Sequence, residues 1–199
     1  MIPAAVEALV AQLARFPGVG RRSAERMAFD LLSGGPERQE AFRLALERLA
    51  EVSLCPSCGF FAEHGRCLIC DSRRPDRHQL LVVERPMDVI AFEKAAGYGG
   101  LYHVLGGHLS PLKGITPDKL RFAPLIERAS DPSVTELILA TTPTVEGDAT
   151  ALYVAGLVER PGLAISRLGR GVPMGGSLEF SDSGTLRLAL EGRRGLHGS

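Results

Sequence analysis

Apolar residues recur at helical spacing through the first fifty positions of this chain, and then the pattern changes. Ile2, Val6, Leu9, Val10 and Leu13 fall on one face of a 3.6-residue period and predict an amphipathic helix over roughly 3–15. Phe16-Pro17-Gly18-Val19-Gly20 interrupts it as a tight turn. Ala24, Met27, Ala28 and Leu31 then supply the inward stripe of a second helix. Ser33-Gly34-Gly35-Pro36 breaks that pattern, and Phe42, Ala45, Leu46 and Leu49 mark a third helix ending near Val52.

From Gln79 short continuous apolar runs take over. Leu80-Leu81-Val82-Val83 is unbroken by polar residues, as suits a strand buried on both faces. Pro86 opens a helix that runs to about Ala96. Leu101–Leu105 is a second strand, followed by a loop with Pro111, Gly114 and Pro117 and a helix near 118–129. Thr135–Ala140 is a third strand, and Glu146–Val158 a helix with Ala149, Leu152, Tyr153, Ala155 and Gly156 expected to face inward. Leu163–Leu168 is a fourth strand. Strands alternating with helices predict an α/β core, a mostly parallel four-stranded sheet with flanking helices. The stretch 171–192 is rich in glycine and reads as an irregular tail, partly a hairpin through Ser177–Phe180 and Thr185–Leu190.

Composition narrows the classes. Apolar residues make up 45% of 199, ordinary for a globular chain, and no run approaches the ~20 apolar residues of a membrane span. Lys plus Arg and Asp plus Glu number 23 each, so any grip on nucleic acid comes from a local patch or from several copies. From Pro161 onward the arginines Arg167, Arg170, Arg187, Arg193 and Arg194 face only Glu179, Asp182 and Glu191. The start of the chain has no basic segment before its apolar residues, which predicts a cytoplasmic protein.

The four cysteines are Cys55, Cys58, Cys67 and Cys70, two C-x2-C turns separated by eight residues. Two such turns present four thiolates to one tetrahedral ion, which predicts structural Zn2+ in a closed site. The alternative is a pair of disulfides, which a chain of this length with four cysteines and no signal segment disfavours. Phe60, Phe61 and Leu68 are expected to supply the apolar packing of this module.

Pro17-Gly18-Val19-Gly20, followed by Arg21, Arg22 and Arg26, resembles the helix-hairpin-helix motif of DNA-binding proteins. Gly18 and Gly20 remove side chains where backbone amides at a helix start meet a phosphate, and the three arginines add mobile cations. Such binding is sequence-neutral and salt-sensitive. An ordinary helical hairpin with solvated arginines is the bland alternative. At the ends of the first and third strands, Glu84, Glu146 and Asp148 are expected along one edge, where open sheets place their sites. Clustered acids there suit Mg2+, or they simply stabilise a helix N-terminus.

The segment from Leu80 to about Leu168 resembles the Toprim domain of topoisomerases, primases and some nucleases. Glu84 matches that family's acid after the first strand, and Glu146-Gly147-Asp148-Ala149 matches its later motif. Thr142 and Thr144 stand where its Asp pair belongs, which makes Mg2+ doubtful. The succession PGVGRRSAERMA, CPSC with CLIC, TPTVEGDATA and RGVPMGG covers essentially the whole chain and resembles the RecR family of bacterial recombination mediators. The resemblance implies a helix-hairpin-helix region at 1–53, a zinc module at 54–76, a Toprim domain at 77–170 and a subunit-contacting tail at 171–199. It implies a non-catalytic DNA clamp, nucleoid-associated, that works with RecO, and separately with RecF, to load RecA at single-stranded gaps. It also implies assembly into a homo-oligomeric ring, a tetramer, with Glu84, Glu146 and Asp148 as an acidic edge for a basic partner. The rival reading is a Mg2+-dependent Toprim-type nuclease or strand-passing enzyme. A zinc-stabilised interaction module without DNA contact is the third.

Overall fold

The computed structural model describes residues 2–95 and 97–193, which divide into two compact units, Met1–Val52 and Ser53–Ser199. The first unit is helical: α1 (Ala4–Leu13), α2 (Arg21–Ser33) and α3 (Gly35–Leu49). Its core is a single seam of Val10 and Leu13 against Ala24 and Ala28, flanked by Val6, Leu9, Ala14 and Val19. Two alanines one helical turn apart on α2 let α1 approach closely. Gly18 turns the chain between them at φ 78°, a left-handed conformation that side chains disfavour.

The third helix departs from expectation. It ends at Leu49, and Phe42, Leu46 and Leu49 are all exposed, as is Met27 of α2. Periodicity reports that a helix has an apolar face. It does not report whether this unit contains anything to cover it.

The second unit begins at Ser53, within β1 (Val52–Leu54), which pairs with β2 (Phe61–Glu63) and is followed by the one-turn helix α4 (Leu68–Asp71). The four cysteines and Ala62 are its buried side chains, with Phe60 and Ile69 packed against them. Phe61 and Leu68 are exposed, contrary to expectation. Phe61 lies on β2 next to inward Ala62, and alternation along a strand turns it out.

β3 (Gln79–Val83), β4 (Leu101–Val104), β5 (Glu136–Ala140) and β6 (Ala164–Arg167) then form a wholly parallel sheet in the order β4-β3-β5-β6. Register pairs Val83 with Val104 on one side and with Ala140 on the other. Leu80, Val82, Leu137 and Leu139 pack on α6 (Phe122–Ala129) and α7 (Val145–Val158). Leu81, Val83, Tyr102 and Val104 pack on the opposite face, against Val89 and Phe92 of α5 (Pro86–Lys94) and against Phe60 and Ile69 of the cysteine module. The α/β fold class is as the sequence predicts.

Details differ. The expected end of α5 at Ala96 lies outside the described residues, as do Arg194 and the last positions of the tail. α6 starts at Phe122, because Pro117–Lys119 forms a separate 3-10 turn. α7 buries Gly147, Thr150, Ala151, Val154 and Val158, while Ala149, Leu152, Tyr153 and Gly156 face outward. Apolar residues surround this helix, so their spacing does not set its phase. The tail holds no hairpin in its described part. Leu178–Phe180 is a 3-10 turn and Ser183–Glu191 is helix α8, started by Asp182, whose carboxylate accepts from the Thr185 amide at 2.9 Å. The alternating leucines Leu186, Leu188 and Leu190 suggest a strand, but the cap at Asp182 dictates a helix.

His103 on β4 is fully buried. Its Nε2–H donates to the Arg121 carbonyl at 2.8 Å, which leaves Nδ1 to accept from Arg128 at 3.4 Å. Burial first, then the neighbouring Arg128 and Arg121 charges, push its imidazole down to about 3. The unfolded chain binds this proton from about pH 6.5, whereas the native state refuses it, so stability falls as pH drops. The expected loss between pH 7.5 and pH 5 is about 2 kcal/mol from this group. Urea midpoints at the two pH values read it: the fall should be smaller by that amount in His103→Gln, and equal falls in both proteins overturn the assignment.

Candidate nucleic-acid interface, metal centre and sheet edge

α2 starts without a cap. Gly20 is extended, no side chain bonds to the helix start, and the first intrahelical bond runs from the Ala24 amide to the Gly20 carbonyl. The amides of Arg21, Arg22 and Ser23 therefore have no helical carbonyl to reach. A side chain built at Gly18 or Gly20 would meet nothing within 4 Å, so this surface is open. The arginines behind it are not equivalent. Arg21 donates to Glu7 at 2.6 Å and to Glu25 at 3.1 Å. Arg22 and Arg26 form no ion pair among the described residues. A bare helix start with two unpaired guanidinium groups has the chemistry of a phosphate grip.

Cys55, Cys58, Cys67 and Cys70 converge, as their spacing predicts. Their sulfurs all lie within 4.8 Å of one another, and all four side chains are buried. The Cys55–Cys70 and Cys58–Cys67 sulfur separations are 4.0 and 3.4 Å. A tetrahedral ion with metal–sulfur bonds near 2.3 Å requires about 3.8 Å between sulfurs, so the set fits. The same separations are far beyond the ~2.05 Å of a disulfide bond. The amides of Phe60 and Cys70 donate to the Cys58 and Cys67 sulfurs, each at 3.4 Å, and so favour thiolates. This centre can hold a metal ion. It is seated on the sheet by the Val104 amide, which donates to the Cys58 carbonyl at 2.7 Å.

The sheet order creates a switch point between β3 and β5. The chain leaves β3 for α5 on one face and leaves β5 for α7 on the other, and such crevices are where open α/β sheets hold ligands. Glu84 sits at the end of β3 with 3% of its surface exposed. One carboxylate oxygen accepts from the Thr142 amide at 2.8 Å and from the Thr142 hydroxyl at 2.5 Å. The other faces His108 Nδ1 at 3.0 Å. Burial opposes its charge, but Thr142 and His108 outweigh burial and hold the carboxyl below the usual range. Thr144 caps α7 by accepting from the Gly147 amide at 3.1 Å. Gly147 itself passes so close to Thr142 that a Cβ there would lie 2.0 Å from its carbonyl oxygen.

The structure does not gather the three acids. Asp148 accepts from Arg167 at 2.5 Å and from both terminal nitrogens of Arg170, one at 2.9 Å. Arg170 first, then Arg167, holds its carboxyl below the ordinary value. Glu146 is exposed, and its carboxylate pairs with no described residue. Among the described residues the four cysteines form the one set of three or more metal-ligating groups. Sequence reading did not anticipate the clamp of Arg167 and Arg170 on Asp148. Its signal was available: both arginines follow or end a strand whose carboxyl end shares an edge with α7.

Residues 6–50 match the RecR helix-hairpin-helix profile, 78–169 a Toprim domain profile and 171–194 the RecR C-terminal profile. The chain is 46% identical to the recombination protein RecR of Acidothermus cellulolyticus, over 98% of this chain and 99% of that one. It is 46% identical to RecR of Streptomyces coelicolor over 98% of both chains. The RecR of Pelotomaculum thermopropionicum is 47% identical over 95% of both.

Proposed function

The chain belongs to the RecR family of recombination proteins, and from that premise we propose that it is a non-catalytic DNA clamp and adaptor. One observation carries the choice of clamp over enzyme. At the switch point where a Toprim enzyme needs several free carboxylates for Mg2+, the hydroxyls of Thr142 and Thr144 bond to Glu84 and to the Gly147 amide. Glu84 is thereby buried as an acceptor, and Asp148 is neutralised by two arginines. Gapped and supercoiled circles, incubated with the protein at low salt with Mg2+ and run with and without protein removal, test this. Retarded but chemically unchanged DNA is expected. Nicked, relaxed or linear product would make the edge an active site.

DNA is held without base recognition by the open start of α2, with Arg22 and Arg26 on phosphates and Arg21 assisting once released from Glu7 and Glu25. The bound ion is Zn2+, since four thiolates in a closed tetrahedron suit it and leave no position for substrate. Several copies act together in a ring. What supports assembly is the exposed apolar stripe of Phe42, Leu46 and Leu49 on α3, and exposed Met174, Leu178 and Phe180 in the tail. A zero-net-charge chain with a small cationic patch also gains affinity when copies converge on one duplex.

RecO, and RecF in a separate complex, are the partners in loading RecA at gaps, and the sheet edge is the docking surface. Of the three acids only Glu146 has a carboxylate that is unpaired among the described residues, and so open to a basic partner. Glu146→Lys is expected to weaken RecO binding at least tenfold in calorimetry while metal content stays unchanged. Equal affinity would remove the edge from the interface.

A further inference from the structure

Arg128 of α6 is a cation without an acid. No carboxylate among the described residues pairs with it; its Nη1 donates to the Tyr102 carbonyl at 2.5 Å and to His103 Nδ1 at 3.4 Å. Those partners are neutral, and His103 is fixed in the accepting tautomer by its bond to Arg121. The side chain is half-buried, burial weighs against its charge, and the negative groups that favour that charge are the four cysteines, Cys70 first, the one with which it shares a pocket. Arg128 lines that pocket with Ser57, Arg66 and Cys70 of the module, with Leu101 of β4, with Val134 before β5 and with Arg77, whose side chain is exposed. Asp131 lines the same pocket, but its carboxylate accepts from the Ser133 amide at 2.8 Å.

The cysteine centre has the opposite imbalance. Four thiolates around a divalent ion leave two negative charges at a buried site, and such charge requires a nearby partner. The backbone donors Phe60 and Cys70 serve two sulfurs but carry no formal charge. Arg66 lines the same pocket but is paired with Asp71 at 3.4 Å. A second cation stands on the sheet side: Arg121 donates to the Cys55 and Pro56 carbonyls at 3.3 and 2.6 Å and so grips the first chelating turn.

We propose that Arg128 is the counter-cation of the four-cysteine centre, held by β4 and His103 so that ion loading and seating of the module on the sheet are one coupled event. The proposal rests on the reading of the centre as a zinc site. Arg128 is a positioning residue: it is not a ligand of the ion, but it sets the charge against which the thiolates bind it. By reciprocity, removing the ion leaves Arg128 without a negative partner, so the two contributions are coupled.

The test uses the full chain, with Zn2+ affinity read by competition against a chromophoric chelator at pH 7.5. Arg128→Met, which keeps bulk and removes charge, is expected to weaken Zn2+ binding by roughly 10- to 100-fold, the range typical of an outer partner of a metal site. Arg128→Lys keeps the charge and is expected to remain within about threefold of the native chain. Zinc removal should also lower the urea midpoint less in Arg128→Met than in the native chain, whereas a purely structural role lowers both forms equally. Native affinity in Arg128→Met overturns the proposal alone. Arg128→Lys binding as weakly as Arg128→Met also overturns it, and the lysine variant decides if the methionine variant does not fold. A native chain that holds no Zn2+ overturns the centre and the proposal together.

Discussion

Cys58→Ser is expected to abolish metal binding and to unfold the module of residues 54–72 while the parallel sheet persists. The reason is the composition of that module's interior. Its buried side chains are the four cysteines and Ala62, with Phe60 and Ile69 half-covered beside them. Remove the ion and no core remains to replace it. Structural zinc contributes an apparent ~10–16 kcal/mol in small domains, several times what any single packing change supplies. Cys58 is the most informative ligand because its carbonyl also receives the Val104 amide, so the lesion propagates to the β4 edge. Metal content by atomic absorption should fall from one ion per chain to less than a tenth, and limited proteolysis should gain cuts between β1 and β3. A variant with full metal content would exclude the four-thiolate centre.

Arg22→Ala combined with Arg26→Ala is expected to be the most damaging change for DNA binding. Each guanidinium that meets a phosphate releases about one counterion, so the slope of log affinity against log salt should become shallower by about 2 per chain in contact with duplex. Affinity at moderate salt should drop at least tenfold. Arg21→Ala should do less, because Arg21 must first leave Glu7 and Glu25. Fluorescence anisotropy on labelled DNA at several salt concentrations separates the cases. An unchanged slope in the double variant would favour a module that assembles at DNA without touching it.

Much of this architecture was legible in the chain because it rests on local patterns. Two C-x2-C turns can close on one ion over a short span, and the structure brings the four sulfurs within 4.8 Å of one another. The run Leu80–Val83 has no polar position, which excludes a strand with one wet face, and β3 is indeed central. The pattern failed where the covering partner or the helix phase mattered. α3 and α7 each carry apolar residues on several sides, and only packing decides which side is inside. The tail failed for another reason: alternating leucines imitate a strand, and a single carboxylate cap at Asp182 sets a helix instead.

The sequence by itself determined the order of segments, the parallel α/β core, the cysteine centre and membership of the RecR family. The first three follow from spacing along the chain, which chain geometry converts into nearness without long-range information, and the last from the resemblance of its motifs. Tertiary structure alone decided the charges. It placed Thr142 on Glu84, Arg167 and Arg170 on Asp148, and Arg128 in one pocket with Cys70 of a distant segment of the chain. Coulombic energies depend on distance and burial, and both are set only when strands from distant parts of the chain align into one sheet.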